Sequence, residues 1–339
     1  MQTYVGLDVH KRYTHAVVLD EKGNMLMSKQ IVNEPQEFDK LAEEIGKDAK
    51  IVMESCSCWQ YIYDYLDEMG YDIKLAHPLK VKAIASARIK TDAIDAKMLA
   101  DLLRADLIPE SYVPPSYVRK ERNIVRHRYS LVALKTLIKN KIHAILIRHG
   151  VMYPYTDFGI AGIEYLYSID LPEAERLAMD HYLSILDFLD KKVEESDEIV
   201  EMLCKENPLA TLITSMPGIG YYSALLIMSE IGDIRRFEHA KQLCSYAGLV
   251  PSVYQSGDTM RMGHITKQGS RWLRWIMTQC ALVAIQKDDT LRTFYIRISK
   301  RRGKKVAIIA VARKMLIYIH TMIKLNIPYH ALYIKRRGG

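Results

Sequence analysis

Cysteine is scarce. The five in 339 residues, Cys56, Cys58, Cys204, Cys244 and Cys280, are odd in number, and they form no CxxC pair and no Cys/His zinc spacing. A disulfide framework and a structural zinc are both excluded on that count. Internal repeats and low-complexity tracts are also missing, and 49% hydrophobic with 26% charged residues describes a globular chain rather than a disordered one. No charged segment and no apolar run precede the first strand-like stretch, as a secretory leader would require. The one apolar run long enough to suspect, Val306 to Leu325, is interrupted by Arg313 and Lys314 and reads as a buried helix. The expectation is a reduced, cytoplasmic protein with no membrane partner, long enough for about two domains.

Acidic residues are nearly missing from the C-terminal quarter. Arg261 to Gly339 holds 18 basic residues and two acids, Asp288 and Asp289, in a chain whose formal charge is only +8. A second basic block, Pro115 to Gly150, has nine basic residues and one acid, Glu121; Val151 to Ile213 then carries 14 acids and four bases. A small-molecule enzyme needs no such segregation. It fits a polyanion partner, because Lys/Arg contacts to phosphates release counterions and supply non-specific affinity. The cluster Lys300, Arg301, Arg302, Lys304 and Lys305 argues further against a merely solvated basic face.

Short apolar segments predict strands at Thr3–Val9, Thr14–Leu19, Met25–Ile31, Ile51–Glu54 and Tyr71–Leu75, with helices at Pro35–Ile45, Trp59–Met69 and Asp92–Leu107. Three strands joined by tight turns, followed by alternating helices and strands, imply a mixed sheet covered by helices. Pro109, Pro114 and Pro115 close this first domain, residues 1–113. A helical region, 114–205, follows. Ile124, Leu131, Ile138 and Ile145 recur every seven residues on a basic helix, and Tyr182, Leu186, Leu189, Val193, Ser196, Val200 and Leu203 keep the 4-3 spacing of a coiled-coil seam. An intrachain helical hairpin and an oligomerising coiled coil both satisfy that pattern. The C-terminal domain, 206–339, is expected to be mostly helical, broken by glycine-bearing turns at 217–220, 248–250 and 263–269.

Four acids stand out by placement. Asp8 lies inside an apolar strand, Glu54 ends another, and Asp92 and Asp95 are three apart at the start of a helix, hence on one face of it. An acid inside an apolar strand is costly unless something neutralises it. Converging carboxylates around Mg²⁺ supply that neutralisation, and paired metals about 3.5–4 Å apart can activate an attacking oxygen and stabilise a leaving one. Taken singly, Asp92 also suits a helix N-cap or first turn.

The segments Gly6-Leu7-Asp8-Val9-His10-Lys11, Glu54, and Lys90-Thr91-Asp92-Ala93-Ile94-Asp95-Ala96-Lys97-Met98-Leu99-Ala100 resemble the RuvC-like, ribonuclease-H-fold domain of the DEDD transposases of the IS one-ten insertion-sequence family, relatives of the Piv DNA invertase. The resemblance implies an α/β ribonuclease-H-like first domain in which Asp8, Glu54, Asp92 and Asp95 bind Mg²⁺. In the second half, Pro217-Gly218-Ile219-Gly220 before an apolar helix reads as a helix–hairpin–helix turn. Its glycines, Gly218 and Gly220, would let the backbone approach a phosphate. The stretches 248–258 and 261–274 resemble the C-terminal transposase domain of the same family, whose loop carries a nucleophilic serine. By motif that serine is Ser256, followed by Gly257; Ser252 and Ser270 are rivals, and Ser270 also suits the N-cap of the helix at Arg271. Arg261, Lys267, Arg271 and Arg274 are placed to stabilise a pentacoordinate phosphate, and His264 suits a proton carrier or a loop hydrogen bond.

The resemblance runs to about Leu107 by acidic motifs, through the middle by architecture, and to about Ala284 around the serine; the tail from Arg297 matches no motif. It implies a covalent 5′-phosphoserine link to DNA, dimeric or tetrameric assembly with composite sites, and guidance by a structured RNA that pairs with donor and target DNA. The basic helix Arg119–Arg148 and the tail would then hold backbones while base pairing selects sequence. Three other readings compete. A RuvC-like metal nuclease or resolvase would use the acids alone. An actin-like sugar kinase shares the opening strand and hairpin but needs a second glycine-rich phosphate loop, which is missing. A non-catalytic nucleic-acid binder would not need Asp92 and Asp95 together.

Overall fold

The computed structural model describes residues 2–85, 91–256 and 259–332. The chain divides into two compact units, Met1–Val113 and Pro114–Gly339.

In the first unit β1 (Tyr4–Val9), β2 (Tyr13–Leu19) and β3 (Met25–Val32) form an antiparallel meander. Then α1 (Pro35–Ile45), β4 (Lys50–Glu54), α2 (Trp59–Glu68) and β5 (Asp72–Ala76) alternate. β4 pairs parallel with β1 and β5 parallel with β4, giving the order β3-β2-β1-β4-β5. Successive strand residues face opposite sides. Val5, Leu7, Val9, Ile51 and Met53 turn toward α1 and α2, where Phe38, Leu41, Ile45, Ile62 and Leu66 complete one core. Val17, Leu19 and Val52 turn to the other face, which α4 (Asp92–Arg104) covers with Ala96, Leu99, Ala100 and Leu103; α3 (Pro78–Ile84) also packs there through Val81. This mixed sheet with helices on both faces is the ribonuclease-H-like architecture that the acidic motifs imply. α4 ends three residues earlier than the apolar pattern predicts, because Asp106 turns left-handed (φ 54°).

Gly6 is what lets α4 lie so close. A Cβ there would strike the Ala96 carbonyl and stand 2.7 Å from the Ala100 nitrogen. Small residues at 96 and 100, one turn apart, complete the close approach.

The second unit is helical: α5 (Ser116–Arg148), α6 (Ile160–Ser168), α7 (Glu173–Glu206), α8 (Pro208–Ile213), α9 (Tyr221–Ile231), α10 (Ala240–Tyr246), α11 (Arg271–Lys287), α12 (Asp289–Arg302) and α13 (Lys304–Leu325). α5 and α7 pack together over their length, tied by Arg128–Asp197 and Lys135–Asp190 ion pairs. Leu186, Leu189, Ser196 and Val200 of the heptad seam are buried. The seam therefore closes a hairpin within the chain. Val125 of α5 and Val200 and Cys204 of α7 share one core with α9, α11 and α13, so segments 114–205 and 206–339 form a single unit rather than two. α13 is long and apolar enough to cross a membrane. Here it is the core helix, with Val311, Ala312, Met315, Leu316 and Ile319 fully buried.

The serine region departs from expectation. Where a glycine-flanked loop was expected, the chain forms an antiparallel ribbon, β6 (Pro251–Ser256) and β7 (Thr259–Ile265), with Tyr254 opposite Arg261 and Ser256 opposite Thr259.

Candidate active site

The acids of the first unit gather at the C-terminal ends of β1 and β4 and the start of α4. Leu7 pairs with Met53 across β1 and β4, so Asp8 and Glu54 come next on neighbouring strands roughly 4.8 Å apart. Leu7 and Met53 face α1 and α2, so Asp8 and Glu54 face the α4 side. Thr91 accepts the Ile94 N–H (3.3 Å) and so provides the N-cap of α4. The Asp92 carboxylate is thereby left for other partners: Tyr13 donates its hydroxyl to it at 3.1 Å, and His10 Nε2 lies 3.4 Å from its other oxygen. The same His10 nitrogen is 3.2 Å from Asp8. Asp95 stands one turn further on the same face.

His10 and Tyr13 flank the Lys11-Arg12 turn. Asn33 clamps that turn by donating to the His10 carbonyl (2.7 Å), and the Arg12 carbonyl accepts the Asn33 N–H (3.1 Å). Tyr13 and Asn33 did not stand out in the sequence as part of the site, and His10 entered only within the segment around Asp8.

Burial pushes the Asp8 carboxyl above its ordinary value; His10 opposes the shift, and the charges of Asp92 and Asp95 add to it. One ligand atom each of Asp8, His10 and Asp92 lie within 4.8 Å of one another, the tight trio among the described residues. Asp95 is close enough for its charge to act on Asp8, and Glu54 follows the strand residue paired with Leu7. Carboxylate oxygens suit hard divalent cations, and a cation would offset the burial and the neighbouring charges that raise Asp8. The donor set therefore fits a divalent metal, with His10 occupying the space between the two carboxylates.

In the second unit the ribbon is pinned at its base. Val250 accepts the Thr266 N–H (2.9 Å) and Tyr246 accepts that of Ser270 (2.8 Å). Ser270 Oγ caps α11 by accepting the Leu273 N–H (3.0 Å) and donates to Glu230 Oε2 (2.8 Å). Glu230 is buried on α9; its other oxygen takes Arg126 Nη2 at 2.6 Å, and Arg122 lies at 3.6 Å. This network, which joins α5, α9 and the start of α11 beneath the ribbon, was invisible in the sequence. Ser252 Oγ donates to the His264 carbonyl (3.1 Å). Ser256 ends β6; its side chain, and Gly257 with it, lie outside the described residues.

The cations named as nucleic-acid contacts divide. Arg261, Lys267 and Arg271 are exposed, as are Lys300, Arg301, Arg302, Lys304 and Lys305 around the α12–α13 turn. Arg274 is half-buried and spends Nη1 on the Ala247 carbonyl (3.0 Å), an anchor for the ribbon base. In the Gly218–Gly220 turn the first glycine faces α11 and the second lies at the surface. A Cβ on Gly218 (φ 89°) would meet the Cys280 carbonyl at 2.6 Å and the Ala284 nitrogen at 2.8 Å, and the Gly220 N–H is taken by Ser223 Oγ. Close packing on α11 accounts for Gly218, whereas a Cβ on the exposed Gly220 would meet nothing within 4 Å.

A ribonuclease-H-like sheet with carboxylates at its C-terminal edge, followed by a helical unit bearing a basic surface and a serine ribbon, defines the class of DEDD transposases. Residues 5–150 match the family model of DEDD transposases, and residues 210–296 match that described as "Transposase IS116/IS110/IS902 family". A 43.6 kDa protein of insertion element IS110 from Streptomyces coelicolor is 27% identical, over 95% of this chain and 94% of the relative. The transposase of element IS1328 from Yersinia enterocolitica is 25% identical over 84% of each chain. That of element IS1111A from Coxiella burnetii is 24% identical over 91% of this chain and 86% of the relative. The chain belongs to the IS110/IS116/IS902 family of transposases, enzymes that cut and rejoin DNA.

Proposed function

We propose that this transposase moves an insertion sequence by joining Mg²⁺-dependent carboxylate chemistry in the first unit to serine nucleophilic chemistry in the second. The gathering of Asp8 and Asp92 around one nitrogen of His10 carries the reading. Asp8, Glu54, Asp92 and Asp95 hold Mg²⁺, which when bound supplies charge stabilisation for an attacking and a leaving oxygen. Tyr13 orients Asp92 through its hydroxyl, and His10 keeps the two carboxylates together. Ser256 Oγ attacks a DNA phosphorus. A serine–phosphorus bond forms, the bond to the 3′-oxygen breaks, and the serine proton ends on that oxygen. Attack by a 3′-hydroxyl of another strand reverses these bonds and rejoins DNA. Ser252 and Ser270 are committed to hydrogen bonds with His264 and Glu230, which supports Ser256 as the nucleophile. Arg261, opposite Tyr254 on the same ribbon, is the nearest of the named cations to serve the phosphate, with Lys267 and Arg271 exposed at the ribbon base.

The exposed cations around 300–305 hold DNA and a structured guide RNA by their backbones, leaving sequence choice to base pairing. Composite sites are completed in a dimer or tetramer. The test is to trap the protein–DNA adduct with Mg²⁺ present. The wild-type chain should yield it and Ser256→Ala should not. An adduct that survives Ser256→Ala, or joining without any adduct, overturns the serine step and leaves a metal nuclease.

A further inference from the structure

Beside α12 and α13 lies a cavity of about 430 Å³ that neither the acid site nor the serine ribbon uses, lined by Asp289, Thr290, Thr293, Phe294, Arg297 and Lys314. Thr290, Thr293, Phe294 and Arg297 fall on one face of α12 by their spacing, and Lys314 reaches it from α13. Lys314 Nζ lies 4.3 Å from the centroid of the Phe294 ring and Arg297 Cζ 5.4 Å from it. The acid that lines the cavity, Asp289, is already paired with Arg292 at 2.7 Å. Two cations are thus held by the face of an aromatic ring rather than by carboxylates, so both positive charges remain available to an incoming anion.

Size narrows the ligand. A lone phosphate would fill little of the space, which falls in the ~300–1,000 Å³ range of small-ligand sites. The depression is open, so a duplex could set a phosphate against the cations, but its bases are stacked inside and could not reach the Phe294 ring. We propose that the cavity takes one unpaired nucleotide of a single-stranded segment. Its phosphate sits between Arg297 and Lys314, the Thr290 and Thr293 hydroxyls bond its edge, and its sugar and base fill the remainder. The proposal rests on the nucleic-acid role of the basic C-terminal region proposed above. Lys300 is six residues along α12, about 9 Å from Phe294, so the cations of the turn would hold the phosphates that flank the captured nucleotide.

The experiment is equilibrium binding of the full chain to one labelled oligonucleotide sequence offered as single-stranded DNA, single-stranded RNA and duplex DNA. Arg297→Ala removes an exposed side chain, and Phe294→Leu keeps apolar packing while removing the ring. Each should weaken single-strand binding about tenfold and duplex binding by less than about twofold. A larger loss on one of the two single strands supports the site and identifies the sugar it takes. Equal losses on single strand and duplex, or no loss, overturn it. Combined Lys300→Ala and Lys304→Ala should weaken both forms. If that variant loses binding while the cavity variants keep it, the cavity proposal fails alone; if the wild-type chain binds none of the three, the basic-surface reading fails with it.

Discussion

In the first unit the candidate metal ligands ride on paired strands and on a helix packed against them. Asp8 lies in β1, which is bonded to β2 on one edge and β4 on the other; Glu54 ends β4; Asp92 and Asp95 ride a helix packed against Gly6. In the second unit Ser256 stands at the far end of a two-stranded ribbon, six residues beyond Val250, where the chain is anchored. The anchoring joins two backbone bonds, Thr266 to Val250 and Ser270 to Tyr246, to side chains beneath, Glu230 foremost among them. Ligands that share an ion must hold their positions to about half an ångström, which a sheet provides. A nucleophile that must reach a strand has a different requirement, and a ribbon pinned at one end meets it.

The largest expected effect follows from the fixed side of that contrast. Asp8→Asn keeps shape and hydrogen bonding but removes a charge from the trio, so Mg²⁺-dependent strand cleavage should fall about a thousandfold, several kcal/mol of transition-state stabilisation. A cleavage rate within a few-fold of wild type would break the assignment of that site. Next comes the anchored side. Glu230→Ala leaves Arg122, Arg126 and Ser270 facing a buried gap, and loss of one partner from such a network costs about 3 kcal/mol. Urea unfolding followed through Trp272 and Trp275, which pack on Tyr129 of α5, should show the lowered midpoint. An unchanged midpoint would mean the ribbon base does not depend on Glu230. Gly6→Ala tests how tightly α4 is held: its methyl group must push the helix backbone away, at about 2 kcal/mol. Cleavage should fall with it, because Asp92 and Asp95 move with the helix.

What the sequence disclosed and what it withheld follow from how local each signal is. The strands of the first unit were legible because alternating burial leaves a period of two in the residues themselves, and Asp8 was legible because a charge inside such a strand needs a reason. Tyr13 was not, since its partner Asp92 lies 79 positions away and only the fold of the Lys11-Arg12 turn brings them together. Glu230 looks like any acid near a helix end; its burial depends on Arg126, 104 positions earlier. The serine ribbon was missed for a different reason. Val253-Tyr254-Gln255-Ser256 and Thr259-Met260-Arg261-Met262 flank Gly257-Asp258, a hairpin signal, but the surrounding helices and glycines drew the reading toward a loop. Gly218 had a structural demand that the sequence could not show: only the position of α11 reveals that packing also requires a glycine there.

The smallest effect tests the contrast at its finest. Tyr13→Phe removes one hydroxyl whose hydrogen bond to Asp92 raises the tyrosine's own pKa, the Asp92 charge and partial burial adding to the shift. The ring, tilted against His10 with centroids 4.8 Å apart, remains. If the sheet alone positions the carboxylates, cleavage at saturating Mg²⁺ should barely change. If Tyr13 orients Asp92, the apparent Mg²⁺ affinity should fall by about tenfold, as for other hydrogen bonds that aim a metal ligand, while the rate at saturation stays within a few-fold of wild type. We expect the second result, because Asp92 sits in the first turn of α4, where no neighbouring strand holds it as β2 holds Asp8 opposite His15. A loss confined to the saturated rate would instead place Tyr13 among the groups that act on the scissile strand.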